Sequence, residues 1–216
     1  MSDLDATRRQ ILDSALSHIP FDGWTGKSLA AAARELDISA ESMTLAFPGG
    51  VAGLAAFFNA EFDRRMAGAL VAQDLDAMPV RARIAAAVRA RLELLASHKE
   101  AVRRLAAYSA MPGRGIAAVR AVLATVDAIW RAAGDSSTDF NYYTKRGLLA
   151  PVYGATLLYW LSDNSEGSDE TWAFLDRRIA EILKIPAIQE RISRIARRVP
   201  SPPGIIKRVR KRLKAV

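Results

Sequence analysis

Few residues of this chain have the type and spacing to make or break bonds. There is no cysteine, and the two histidines, His18 and His98, stand far apart in the sequence. No strained serine elbow, glycine-rich phosphate loop, or His and carboxylate cluster at metal-ligand spacing is present. Neither a metal nor an organic cofactor is therefore expected, and nothing argues for catalysis. The acids of the body alternate with arginines, as in Asp63-Arg64-Arg65 and Asp176-Arg177-Arg178, the pattern of ordinary solvated or paired helix faces. The residue types support binding chemistry instead, of two kinds: attraction to an anionic surface and burial of an apolar ligand.

The first kind sits at the C-terminal end. Between Pro186 and Val216 ten Lys and Arg residues stand against Glu190 alone, so the net charge of +8 resides there and residues 1–185 are close to neutral. Pro200-Ser-Pro-Pro-Gly204 is a stiff hinge that no helix crosses. Beyond it Ile205, Ile206, Val209 and Leu213 fall together at helical spacing, with Lys207, Arg208, Arg210, Lys211 and Arg212 around them. A narrow apolar edge on a cationic helix suits an anionic membrane surface. A solvated tail or non-specific contact with nucleic acid would use the same charge, but neither requires regular apolar spacing.

The second kind centres on a run without any charge, Gly147 to Leu161. It is too short to span a bilayer, which takes about 20 residues as a helix, and it carries Pro151, which would kink it. A helix apolar on all sides must be covered on all sides, so a core helix touching a ligand cavity, a partner subunit or both is expected. Its stripe Leu149, Tyr153, Leu157 and Trp160, together with Phe58, Phe62 and Val122 from earlier helices, supplies the candidate residues for lining such a cavity. Phenylalanines this close are also ordinary core residues.

The elements that must position these side chains all read as helices, in a chain whose 216 residues are half hydrophobic and suffice for one full core. A first helix over 3–19 ends at Pro20 and Gly23. Trp24–Gly50 has the layout of a helix-turn-helix with an aromatic-Pro-Gly stop. One long helix follows from Val51 to Ala77, then Pro79–Ser97, Lys99–Ala110, Ile116–Ala133, Asp139–Ser162 and Thr171–Ile185. Three regions result: a helix-turn-helix-like part (1–50), a helical part with the candidate ligand-lining residues (51–185) and the basic tail (186–216). Reading of DNA is not expected, because Ser39–Phe47 holds no basic residue and exposes Glu41, whereas phosphate contacts dominate DNA affinity. Asp3 and Asp5 stand where a secretory leader would be basic.

Four strings carry a family resemblance: Asp127-Ala-Ile-Trp130, Ala133-Gly-Asp-Ser-Ser-Thr-Asp-Phe-Asn-Tyr-Tyr-Thr-Lys-Arg146, Tyr159-Trp-Leu-Ser-Asp163 and Thr171-Trp-Ala-Phe-Leu-Asp-Arg-Arg-Ile179. In this order they resemble the ubiquinone (coenzyme Q) biosynthesis accessory family, a lipid-binding offshoot of the TetR-repressor fold. The resemblance covers most of the chain, more weakly at the N-terminus. It implies an all-α, TetR-like helical bundle with a relic of the helix-turn-helix, and a homodimer formed through the last two body helices. It also implies no specific DNA binding: repressors of this fold carry a lysine after the aromatic-Pro stop, where this chain has Gly49-Gly50.

The function so implied is that of a non-catalytic accessory protein. It would bind an isoprenoid lipid or polyprenylated quinone precursor and present it to a ring-modifying hydroxylase at the membrane surface. The family's partner-facing surface maps onto Asp127, Ile129, Asp139, Tyr142, Tyr143 and Arg146, with Ile129 departing in type from the family's pattern. The residues alone leave another reading open there, since Asp139 can cap a helix and the tyrosines can seal the domain. A TetR-type regulator with a hydrophobic effector is the alternative function. The expected location is cytoplasmic, peripheral to the inner face of a bacterial-type membrane.

Overall fold

The computed structural model describes residues 3–135 and 140–182. Every regular element among them is helical: α1 (Asp3–Asp22), α2 (Gly26–Glu35), α3 (Ala40–Ala46), α4 (Val51–Leu70), α5 (Val80–Leu94), α6 (Lys99–Ser109), α7 (Gly115–Ala132) and α8 (Phe140–Ser162), followed by α9 over 169–182. Short 3₁₀ turns occupy Leu75–Ala77, Ala96–His98 and Glu166–Ser168. By its contacts the chain divides into two units, Met1–Ile179 and Ala180–Val216. The first holds the core; of the second, residues 180–182 are described. The basic tail, Ile205, Ile206, Lys207, Arg208, Val209, Arg210, Lys211, Arg212 and Leu213 included, lies outside the described residues.

The helices form where apolar residues recur at helical spacing. In α1 they are Ile11, Leu12, Ala15, Leu16 and Ile19, all buried. α1 runs through Pro20, where the sequence suggested an end. A proline in the last turn sacrifices little of the ladder, and the stop falls at Gly23, whose φ of +72° suits a residue without Cβ and whose N–H donates to the Ile19 carbonyl at 2.9 Å. α4 likewise ends at Leu70, well short of Ala77. After Leu70 the apolar stripe has nothing to pack on, and Val71 is 85% exposed, so only a 3₁₀ turn forms before Pro79. Propensity alone does not hold such an extension in water.

α2 and α3 stand as a helix-turn-helix tied firmly to the body. Trp24 is buried, donates from Nε1 to the Ala101 carbonyl of α6 at 2.9 Å, and meets Phe58 of α4 edge-to-face at 5.3 Å. Ser39 caps α3 by accepting from the Ser42 N–H. The surface of α3 shows Glu41, Thr44 and Leu45 and no base. No single helix among the described residues is long and apolar enough to cross a membrane; α3 and α4 pass that test of length and composition only as a pair, bent by 52°.

The turn between α8 and α9 is organised by Asp163. Its carboxylate accepts from the Ser165 N–H and hydroxyl at 2.8 and 2.7 Å, and from the Thr171 N–H and hydroxyl at 2.9 and 2.5 Å. Burial opposes its ionisation, yet these hydrogen bonds outweigh burial and hold its pKa well below the usual carboxylate range. Asp163→Ala orphans the buried donors and is expected to cost on the order of 2 kcal/mol in urea denaturation. A depressed native pKa adds stability above the unfolded value, near 3.9, and loses it as pH falls. The gap between parent and variant should therefore narrow below about pH 4.

Candidate functional site

A cavity of about 240 Å³ opens between α4, α5, α6, α7 and α8. Its walls are overwhelmingly apolar: Phe58 from α4, Leu95 after α5, Val102, Leu105 and Ala106 from α6, Ala118, Ala121 and Val122 from α7, and Gly154, Leu157 and Leu158 from α8. Phe58 is held in place by Phe62 behind it, ring centroids 4.7 Å apart, and by Trp24 at its edge.

The floor is polar. Arg91, 2% exposed, donates from Nε to Asp63 Oδ1 at 2.7 Å, from Nη1 to the Tyr153 hydroxyl at 2.6 Å and from Nη2 to Asn59 Oδ1 at 3.2 Å. Thr125 closes the set by donating to Asp63 Oδ2 at 3.1 Å. Helices α4, α5, α7 and α8 are thus cross-linked through one buried ion pair. Burial works against the Arg91 charge, but Tyr153 and Asp63 outweigh it and raise its pKa. Burial, helped by Asp63, pushes the Tyr153 hydroxyl up and keeps it protonated, although Arg91 pulls the other way.

Of the residues singled out from sequence, Phe58, Val122, Tyr153 and Leu157 converge on this cavity. Phe62, Leu149 and Trp160 do not line it. Phe62 forms the second layer, edge-on to His98 at 5.7 Å; Leu149 is fully buried on α8 one turn before Tyr153; Trp160 is buried with the Lys99 ammonium over its ring at 5.2 Å. The stripe is real, but the cavity meets it for little more than one turn. On the side of α8 away from the core, Gly147, Pro151, Ala155 and Leu158 are exposed in the protomer, Leu158 by 61%. Asp63 overturns the solvated-face reading of Asp63-Arg64-Arg65, being only 9% exposed, whereas Asp176, Arg177 and Arg178 are exposed as expected.

The partner-surface candidates divide between α7 and α8. Asp127 accepts from Arg146 Nε at 2.6 Å and pairs with Arg131 at 2.8 Å; Asp135 takes Arg146 at 3.2 Å and Lys145 at 2.6 Å. Trp130 lies under the Lys145 ammonium and donates to the Lys145 carbonyl. Arg146 is buried by this clamp, and Ile129 is fully buried and offers no surface as folded. Asp139 and the side chains of Tyr142 and Tyr143 lie outside the described residues. Among the described residues no group of three or more His, Cys, Asp or Glu could hold a metal ion.

The clamp and the cavity's α7–α8 wall fall within a stretch that matches a family model. That of COQ9 covers residues 116–186. The chain is 34% identical over 192 residues to ubiquinone biosynthesis protein COQ9, mitochondrial, of Drosophila melanogaster, covering 84% of this chain and 57% of that protein. The figures are 28% over 185 residues for the Homo sapiens protein of that name, with 82% and 58% covered. They are 27% over 185 residues for the probable protein of Dictyostelium discoideum, with 81% and 59% covered. Its relatives are COQ9 proteins. The chain spans under three-fifths of the length of these COQ9 relatives. A TetR transcriptional regulator from Nitrosomonas europaea matches in fold, with a TM-score of 0.66 and 22% identity over 83% of this chain and 99% of that one. The TetR-like bundle expected from the resemblance is what the chain adopts. The expected cytoplasmic, bacterial-type location is corrected: the COQ9 relatives that the chain matches are named as mitochondrial proteins.

Proposed function

We propose that this chain is a non-catalytic, lipid-binding accessory protein of ubiquinone biosynthesis in mitochondria. It takes one end of a polyprenylated quinone precursor into the α4–α8 cavity and presents the molecule to a ring-modifying hydroxylase at a membrane surface. The observation that carries this reading is the apolar cavity of about 240 Å³. The names of the COQ9 relatives supply the pathway. Each buried CH₂ is worth about 0.8 kcal/mol against water, so a prenyl lipid gains much from such a site. Duplex reading is no part of the proposal, since α3 presents no base to DNA.

Around the cavity the remaining parts take roles. The exposed, uncharged face of α8 suits a two-fold pairing into a homodimer. The region of Asp127, Asp139, Tyr142, Tyr143 and Arg146 is the proposed docking surface for the hydroxylase. Ile205–Val216 is proposed to lie on an anionic bilayer. Purified chain, extracted and examined by mass spectrometry, should yield prenyl lipid, and removing residues 205–216 should abolish flotation with anionic liposomes while that lipid stays bound. Protein recovered free of any lipid from a lipid-competent host sinks the cavity reading.

A further inference from the structure

The polar floor has more donors than the protein uses. A guanidinium offers five N–H groups. Arg91 spends one each on Asp63, Tyr153 and Asn59, so its second Nη1 and Nη2 protons meet no acceptor among the described residues. Tyr153 accepts from Arg91, and its own hydroxyl proton likewise finds no acceptor there. Both oxygens of Asp63 are taken, by Arg91 and Thr125. The floor thus has donors to spare beside a carboxylate that already accepts on each oxygen, and buried donors left unpaired are costly.

Charge and size narrow what would satisfy them. Asp63 matches the Arg91 charge, so an anionic head group would sit beside a carboxylate, while a neutral acceptor would not. The cavity is smaller than the roughly 300–1,000 Å³ of pockets that enclose drug-sized ligands, so a long lipid fits by one end. A hydrocarbon end would leave the donors bare. At the mouth, Leu158 of α8 lines the cavity and is 61% exposed, an apolar exit for a chain.

We infer that the cavity takes its ligand ring-first: a neutral ring oxygen, of a quinone, phenol or ether, accepts from Arg91 and the Tyr153 hydroxyl, and the prenyl tail leaves over Val122, Leu157 and Leu158. This rests on the lipid-binding reading above. It adds that the ring is sheltered, so delivery to an enzyme requires withdrawing it through the mouth.

The test uses the delipidated chain and a short-prenyl benzoquinone tethered to beads in two ways, through the far end of the prenyl chain or through the ring. Tail-tethered beads should retain the chain and ring-tethered beads should not. Tyr153→Phe, which keeps the ring packing but takes one acceptor from Arg91, should weaken retention of the quinone about tenfold while leaving binding of a ring-free prenyl hydrocarbon unchanged. Arg91→Met with Asp63→Leu, which leaves neither charge alone, should lose the preference for the quinone over a ring-free prenyl hydrocarbon. Equal retention on both beads, unchanged binding by Tyr153→Phe, or tighter binding of a prenyl phosphate than of the quinone each overturns ring-first binding while the lipid-binding reading stands. Failure to bind either the quinone or the hydrocarbon overturns both.

Discussion

Asp63→Ala is expected to lower the unfolding free energy by about 3–5 kcal/mol, the range for removing one partner of a buried pair. The loss is not that of a contact but of a neutraliser. Arg91 is 2% exposed and would keep its charge with only the Tyr153 hydroxyl and Asn59 amide oxygen as acceptors, while Thr125 would lose its own. Because these five residues hang from α4, α5, α7 and α8, the cavity walls would loosen together. Urea denaturation followed by far-ultraviolet circular dichroism measures the change. Asp63→Leu combined with Arg91→Met removes both charges and should recover most of it, since a buried pair often contributes little over apolar residues of similar volume. If the single and double variants are equally unstable, the packing of Arg91 rather than its charge holds the floor.

This pair also marks where sequence reading stops. Asp63 sits beside Arg64 and Arg65, which looks like a solvated run. Yet at about 100° per residue Asp63 shares the face of Asn59, Met66 and Leu70, and it is buried with Met66 and Leu70. Arg91 gives the same signal, seven residues after Ile84 and four after Ala87 on the buried side of α5. The spacing was there, but chemistry by residue type pointed outward. By contrast, the uncharged run in α8 and the base-free α3 were legible because absence of charge over many residues leaves few alternatives. Depth was not legible. Leu149, Tyr153, Leu157 and Trp160 lie on one stripe, and only tertiary packing decides that the cavity meets its middle. Ile129 shows the same limit: it stands two residues from Asp127, and a rotation of about 200° carries it from the α7–α8 ion pair to the core.

Gly154 gives the largest separation of stability from binding. It lies inside α8 and on the cavity wall, and a Cβ built on it meets no atom within 4 Å. Glycine in a helix interior is less favourable than alanine by roughly 0.5–1 kcal/mol. Gly154→Ala should therefore raise stability by about that amount and leave bound lipid almost unchanged, since one methyl takes little of 240 Å³. Gly154→Phe brings a ring to the same wall. It should keep the fold, because the added side chain starts in open space, yet reduce prenyl lipid per chain at least about tenfold by occupying the ligand's volume. The pair of measurements is melting temperature and extracted lipid per mole of protein. A phenylalanine variant that melts like the parent and carries a full complement of lipid would show that the ligand is held elsewhere, with the exposed Ile116, Val119 and Leu123 face of α7 the first place to look.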